Sequence, residues 1–216
     1  MSAFADAVKR GDRDAVEREL AADPSLAGSE EDGTSAVLLA LYHREEGIAR
    51  LLAERKGRLS IFEAAALGDA AQVRAHLERD PALASAVASD GFFPLGLAAF
   101  FRRAEVVDVL IGQGADVSAV ARNPMQVTAL HSAVADGGDA RIARALVAAG
   151  ADVNARQRHG WTPLHGAADS GDAALVELLL AHGADPGATH DGGKTALDLA
   201  REKGHAAVVA LLEPSS

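Results

Sequence analysis

The sequence contains no cysteine, and its 216 residues include only one tryptophan, one tyrosine and two methionines. Without cysteine, the chain can form neither disulfides nor the thiolate sites that bind metals or act as nucleophiles. Basic residues are in the minority, since 21 Lys and Arg accompany 31 Asp and Glu and give a net charge of −10. We therefore expect neither nucleic acid nor an anionic membrane as the main partner, because both require a dense basic patch.

Long apolar segments are missing as well. No stretch approaches the roughly 18 apolar residues that a membrane-spanning helix needs. The first dozen residues carry charges from Asp6 to Asp12 and lack the apolar core of a signal peptide. We therefore expect a soluble, cytoplasmic protein with no membrane partner. Arg outnumbers Lys by 17 to 4 and alanine is abundant, which favours a bacterial source with GC-rich DNA.

What the sequence does contain is an internal repeat. The segment Thr162–His165 reads Thr-Pro-Leu-His, and the position of its threonine has equivalents along the whole chain, which we call slots. Intervals between these slots are 33 to 35 residues, except for one of 24. A period of this length predicts a stack of small units in place of one globular domain. The slots are Ser2, Ser35, Leu59, Phe93, Thr128, Thr162 and Thr195.

Each unit is predicted to form two short antiparallel helices. In the clearest unit, Thr162 is a good N-cap and Pro163 stands at the first helical position, where a missing N–H costs nothing. Gly171 supplies the left-handed residue that ends the first helix. The second helix has its buried stripe at residues 175–180, which carry Leu or Val at the spacing of one helical face.

This pattern resembles the ankyrin repeat, whose signature combines T-P-L-H, a G-H pair and G-A-D-V-N-A. Residues 128–154 and 162–187 match it closely, and residues 193–205 are similar to the family's usual last repeat. The resemblance implies an all-α solenoid of about seven helix-turn-helix units with β-hairpin fingers. The units are approximately 2–34, 35–58, 59–92, 93–127, 128–161, 162–194 and 195–213, followed by a tail at 214–216.

One finger is predicted to be missing. The short interval of 24 residues separates Ser35 from Leu59, and the segment near residues 54–60 is about ten residues too short for a finger. It falls between two related halves, because Asp23-Pro24 recurs as Asp80-Pro81. We therefore expect a gap in the row of finger tips between the second and third units.

The ends of the first helices carry the candidate binding residues. The resemblance implies that these positions line a concave groove in which partners dock, and aromatic and Arg side chains are the types enriched at binding hot spots. The alternative is that the aromatic side chains only fill core space, with Phe100 or Phe101 packing where other units carry alanine. The candidates are Tyr42, His43, Arg44, Leu67, Phe92, Phe100, Phe101, Arg102 and Asp136.

The finger before Thr162 supplies a second candidate surface. Arg158 and Trp161 lie on it, and Trp161 is the only tryptophan in the chain. The resemblance implies that the slot of Trp161 is exposed and variable, so that an apolar side chain there favours partner binding. The alternative is that Trp161 lies flat against the neighbouring finger at Val127 or Lys194.

Catalytic, metal and cofactor sites are not expected. His131 and His165 occupy the last position of the T-x-L-H motif, where the resemblance implies a structural ring that ties neighbouring fingers together. His159 and His165 have no recognised zinc spacing. Gly193-Lys194-Thr195 ends like a phosphate loop, but the first glycine of that motif is displaced by one position.

The sequence therefore predicts a monomeric, non-catalytic protein–protein interaction module that acts as an adaptor or regulator. It does not indicate which protein is the partner. Two alternatives stay open. One is a regulatory or inhibitory subunit of a single enzyme, and the other is a secreted effector acting on a host protein.

Overall fold

The computed structural model describes residues 2–213, apart from the side chain of Asp136. The predicted tail at 214–216 lies outside the described residues. Within that range the chain forms fourteen α-helices in seven consecutive pairs, and the predicted all-α architecture is confirmed. The helices are α1 Ala3–Lys9, α2 Arg13–Ala22, α3 Ala36–Tyr42, α4 Glu46–Lys56, α5 Ile61–Leu67, α6 Ala70–Arg79, α7 Pro94–Phe100, α8 Ala104–Gly112, α9 Ala129–Val134, α10 Ala140–Ala148, α11 Pro163–Ser170, α12 Ala173–Ala181, α13 Ala196–Lys203 and α14 Ala206–Leu212.

Most of the first helices begin at a side-chain cap, whereas α7 follows Phe93, which makes no side-chain cap bond. In the last unit, the hydroxyl of Thr195 accepts from the backbone N–H of Asp198, and the Asp198 carboxylate accepts from the N–H of Thr195. This reciprocal capping box satisfies two backbone donors that the helix itself leaves unpaired. The helix then ends at Gly204, whose φ of 75° is the left-handed conformation that glycine adopts without steric cost.

Small residues allow the first helices to pack closely along the array. Ala64, Ala65 and Ala66 of α5 are fully buried, as are Ala167 and Ala168 of α11. The second helices bury Leu and Val stripes and pack in sequence, α6 on α8, α8 on α10, α10 on α12 and α12 on α14. One continuous apolar core therefore runs from the first unit to the last.

The third unit begins one residue later than predicted. Its cap is Ser60, whose hydroxyl accepts from the N–H of Glu63, and α5 starts at Ile61. Leu59 is buried instead, and its backbone N–H donates to Gln72 Oε1. The placement of the slot at Leu59 was wrong by one residue, because the neighbouring Ser60 supplies the capping hydroxyl.

The predicted missing finger is confirmed, since the segment between α4 and α5 is only residues 57–60 and Gly57 turns it with a φ of 73°. The expected gap in the row of fingers is wrong. The hydroxyl of Ser89, on the finger before α7, donates to the carbonyl of Gly33 on the first finger. The two fingers on either side of the missing one are therefore in contact.

The outer side of this joint is open. A cavity of about 540 Å³ lies between the end of α4 and the start of α6, with Arg50, Gly57 and Gln72 in its lining. The fingers are therefore in contact at the joint of residues 57–60, where the cavity also lies. The joint is held by a buried ion pair, in which Lys56 Nζ lies 2.8 Å from Glu63 Oε1.

Fingers in the second half of the array are linked by their backbones. Within residues 2–213, only the first finger contains strands, β1 Glu30–Glu31 paired antiparallel with β2 Thr34–Ser35. Three later contacts join consecutive fingers, at 2.8 Å from Arg122 N to Gly91 O, 3.0 Å from Arg158 N to Met125 O and 2.9 Å from Asp191 N to His159 O. These bonds make the finger side of the array a connected, preformed surface.

Candidate protein-binding groove

The groove begins where α3 and α7 end. The last residue of α3 is Tyr42 and the last residue of α7 is Phe100. Two residues later, Arg44 has a φ of 64° and Arg102 a φ of 58°. Both arginines therefore adopt the left-handed turn that glycine makes in other units, so the turn itself is unchanged.

Three aromatic rings form a cluster at these helix ends. The ring centroids of Tyr42 and Phe101 are 5.5 Å apart, and those of Phe100 and Phe101 are 5.1 Å apart in an edge-to-face arrangement. Phe101 is half-buried and packs on the core, whereas Phe100 is 42 % exposed. Phe101 therefore fills core space, as the alternative interpretation expected, whereas Phe100 is the ring of the cluster that is exposed to solvent.

Tyr42 ties this cluster to a finger. Its hydroxyl donates to Asp90 Oδ2 at 2.5 Å, and Asp90 Oδ1 in turn accepts from the N–H of Phe92. Burial raises the pKa of Tyr42 far above its ordinary value of 10, and the hydrogen bond to Asp90 and the negative charge of that carboxylate add to the shift. The phenol therefore stays protonated and holds α3 against the finger before α7.

An apolar cavity of about 690 Å³ extends from this cluster along the fingers. Its lining includes Tyr42 and Phe100 from the helix ends and Phe92, Met125, Val127 and Trp161 from the fingers. The two predicted surfaces, the helix ends and the finger before Thr162, are thus parts of one site. We call it the apolar groove.

Trp161 lies against the next finger while lining the apolar groove. Its ring stacks on His190 with centroids 5.4 Å apart and an angle of 20° between the planes. The stacking partner expected from the sequence was Val127 or Lys194, and in the structure it is His190. Trp161 is partly buried, and it stacks on His190 and also contributes to the lining of the groove.

His131 and His165 connect the start of their helices to the next finger, and His131 also lines the groove. Both are buried, and each Nδ1 lies within 2.9 Å of the hydroxyl of its own capping threonine, Thr128 or Thr162. Each Nε2 reaches the carbonyl of the next finger, Trp161 O and Lys194 O, at 3.2 Å. Burial lowers the pKa of His131 to about 4 and also lowers the pKa of His165. Both rings are therefore neutral at neutral pH.

Beside the apolar groove lies a second cavity of about 710 Å³ with a different character. It shares Tyr42 and Phe100 with the groove, and Arg44, Arg102 and Arg103 line its other side. We call it the arginine compartment. Ser132 and Ala135 also line both cavities.

The other predicted residues fall in different places. His43 is exposed at the end of α3, and Arg158 is exposed on its finger, where its backbone N–H bonds to Met125. Leu67 is buried and lines the cavity at the joint, so the structure does not bring it to the groove. The side chain of Asp136 lies outside the described residues. Sequence reasoning missed Met125, although its finger is one residue longer than its neighbours and contains Pro124.

Residues 2–213 contain no group of three or more His, Asp or Glu side chains arranged to hold a metal ion. Among the helices of this range, none has the length and apolar character needed to cross a membrane.

The left-handed arginines give a stability prediction. Arg44→Gly and Arg102→Gly should each raise the free energy of unfolding by about 0.5–1 kcal/mol, since a side chain in this conformation costs about 1–2 kcal/mol and glycine recovers part of it. Thermal unfolding followed by circular dichroism measures the change. The matched control is Gly204→Ala, because a Cβ there would meet no neighbour and only the backbone effect, of opposite sign, is expected. A lower melting temperature for either glycine variant would contradict this account.

Comparison with protein-family models identifies the repeat. A model described as ankyrin repeats in three copies matches residues 61–157 and, in a second overlapping match, residues 130–215. No curated protein matches the chain. The two matches together span 61–215, which is more than half of the sequence, and the helix pairs and fingers of the structure agree with them. The chain therefore belongs to the ankyrin repeat family.

Proposed function

We propose that the chain is a monomeric, non-catalytic adaptor or regulator that binds a protein partner in the apolar groove. Ankyrin repeats are in general protein–protein interaction modules. The choice of this surface rests on the exposure of large apolar side chains. Within residues 2–213, three large apolar side chains are exposed, Phe100 at 42 %, Val120 at 48 % and Met125 at 56 %, and two of them line this one cavity.

The rigidity of the groove supports the proposal. Its finger side is held by backbone bonds from finger to finger, and its helix side by the bond from Tyr42 to Asp90. A preformed surface loses little conformational entropy when a partner docks, so a larger share of the contact free energy is available for binding.

The experiment uses Val120 as an internal control. We expect Phe100→Ser and Met125→Ser each to weaken partner binding by about tenfold or more, because truncation of a hot-spot side chain costs about 2 kcal/mol. Val120→Ser removes an equally exposed side chain outside the groove and should leave binding unchanged. Quantitative affinity capture from the source cells, with the four chains immobilised at equal density, measures the difference.

The pattern of recovered proteins decides whether the groove is the binding surface. Proteins recovered by wild type and Val120→Ser but depleted on both groove variants would support the proposal. Equal recovery on all four chains would contradict it. Melting temperatures of the variants show whether any loss reflects unfolding, and light scattering after size exclusion tests the monomeric state.

A further inference from the structure

Sulfur is scarce in this chain, and one of its two sulfur atoms lies in the apolar groove. The sequence contains no cysteine and only two methionines, Met1 and Met125. Met125 lines the groove and is 56 % exposed. Exposed thiols and thioethers are the side-chain groups that peroxides oxidise most readily. Because the chain has no thiol, none competes with the thioether of Met125 for an oxidant.

The backbone of Met125 is held in place at the tip of its finger. Its N–H donates to Asn123 Oδ1 at 3.1 Å, and its carbonyl accepts from the N–H of Arg158 at 3.0 Å. The N–H of Gln126 also donates to Asn123 Oδ1, and Asn123 Nδ2 donates to the carbonyl of Asp90 on the preceding finger. A change confined to the exposed thioether therefore leaves the hydrogen bonds that hold this finger intact.

The surroundings of the thioether give its oxidation a consequence. Met125 lines the groove together with the rings of Phe92, Phe100 and Trp161. Oxidation to the sulfoxide replaces an apolar sulfur by a polar group with a strong hydrogen-bond acceptor. An apolar partner surface that covers the groove would bury this oxygen without a donor, and the loss of its hydrogen bonds to water weakens binding.

We propose that Met125 is a reversible oxidation site and that its sulfoxide weakens partner binding in the apolar groove. This inference rests on the proposed function, because it adds a form of regulation to the same site. The sulfoxide would act on the surface of the groove and not on the fold, since the finger is held by its backbone and by Asn123.

The oxidant is hydrogen peroxide. The sulfur lone pair attacks one peroxide oxygen, and an S–O bond forms as the O–O bond breaks. The proton of the transferred oxygen passes to the departing oxygen, which leaves as water. The sulfur is thereby oxidised by two electrons, and the peroxide is reduced by the same two. Methionine sulfoxide reductases reverse the step with a dithiol as reductant, which becomes a disulfide while the oxygen leaves as water.

The test compares three forms of the full chain, namely reduced, treated with hydrogen peroxide, and treated and then repaired by the two methionine sulfoxide reductases with dithiothreitol. The matched control is Met125→Leu, which keeps an apolar side chain, cannot form a sulfoxide at this position and retains Met1. Mass spectrometry of peptides locates the added oxygen. Titration with Nile red, an uncharged apolar dye, measures the affinity of the groove.

We expect peroxide to oxidise Met125 and to weaken the binding of Nile red to wild type about tenfold, because the dye would bury an oxygen that lacks a donor. The reductases should restore the affinity. Peroxide should leave the affinity of Met125→Leu unchanged. Melting temperatures from circular dichroism should be the same for the reduced and the oxidised chain.

Several results would overturn the inference. They are an unmodified Met125, no dye binding by the reduced chain, an unchanged dye affinity after oxidation, an equal loss in Met125→Leu, and unfolding of the oxidised chain. Affinity capture from the source cells separates the two proposals. Proteins that Phe100→Ser loses but the oxidised chain retains would overturn this inference and leave the proposed function standing. If Phe100→Ser loses no protein, both proposals are wrong.

Discussion

Replacing Lys56 by Met is expected to lower the free energy of unfolding by about 3 kcal/mol, which is the cost of leaving one member of a buried ion pair without its partner. Lys56 Nζ lies 2.8 Å and 3.0 Å from the two carboxylate oxygens of Glu63, whose side chain is only 1 % exposed. Lys56→Met would leave the Glu63 carboxylate buried, with hydrogen bonds but without a positively charged partner. Urea unfolding at neutral pH measures the loss.

The reverse variant should be milder. Glu63→Gln removes the buried charge, and Lys56 can turn to water because 24 % of its side chain is already exposed. The glutamine can still accept from the N–H of Ser60, as Glu63 does at 2.8 Å. The double variant Lys56→Met/Glu63→Gln should therefore be more stable than Lys56→Met alone. Equal stability of those two chains would show that the ion pair is not what holds the joint.

Acid gives a second check on the same pair. Burial raises the pKa of Glu63, but the hydrogen bonds from Lys56, the Ser60 backbone and Ser35 outweigh it, and the pKa lies below its usual 4.5. A lowered pKa means that the stability from Glu63 is present above pH 4.5 and is lost as pH falls below that value. In Lys56→Met, the effect of burial on the pKa of Glu63 dominates, and protonation of Glu63 should instead stabilise the folded chain. The difference in unfolding free energy between wild type and this variant should therefore shrink as pH falls.

Features encoded within one repeat could be predicted from the sequence. The capping threonines, the glycines that end helices and the buried stripes all follow from local chemistry, as with Thr162, Gly171 and residues 175–180. The missing finger could be predicted for the same reason, because the chain between α4 and α5 is too short to build one. The placement at Leu59 failed because alignment by apolar character overlooked the hydroxyl of Ser60, one residue later.

Features that depend on contacts between distant units could not be predicted. The contacts from Tyr42 to Asp90 and from Ser89 to Gly33 join residues more than 40 positions apart and exist only because fingers close over the missing one. Met125 and Tyr42 likewise line one cavity although they are far apart in the sequence. The sequence indicated Tyr42, Phe100 and Trp161 as candidates, but only packing shows that they line one groove.

Mild acid should destabilise the chain before Glu63 titrates. Burial lowers the pKa of His131 to about 4 from 6.5, so the unfolded chain binds a proton more readily than the folded chain. For this sign of shift, stability is fully present above pH 6.5 and falls as the pH drops from 6.5 towards 4. We expect a loss of about 2 kcal/mol between pH 7 and pH 5 from His131 alone, and a further loss of the same sign from His165.

The decisive variant is His131→Gln/His165→Gln, measured by urea unfolding at both pH values. Glutamine can keep the capping box with Thr128 or Thr162, but it does not titrate and does not reproduce the ring's bond to the next finger. The variant should be less stable than wild type at pH 7 and lose less stability on acidification. His43→Gln changes an exposed ring and should keep the wild-type loss. If the double variant is as acid-sensitive as wild type, the buried histidines are not the source, because Glu63 contributes only below pH 4.5.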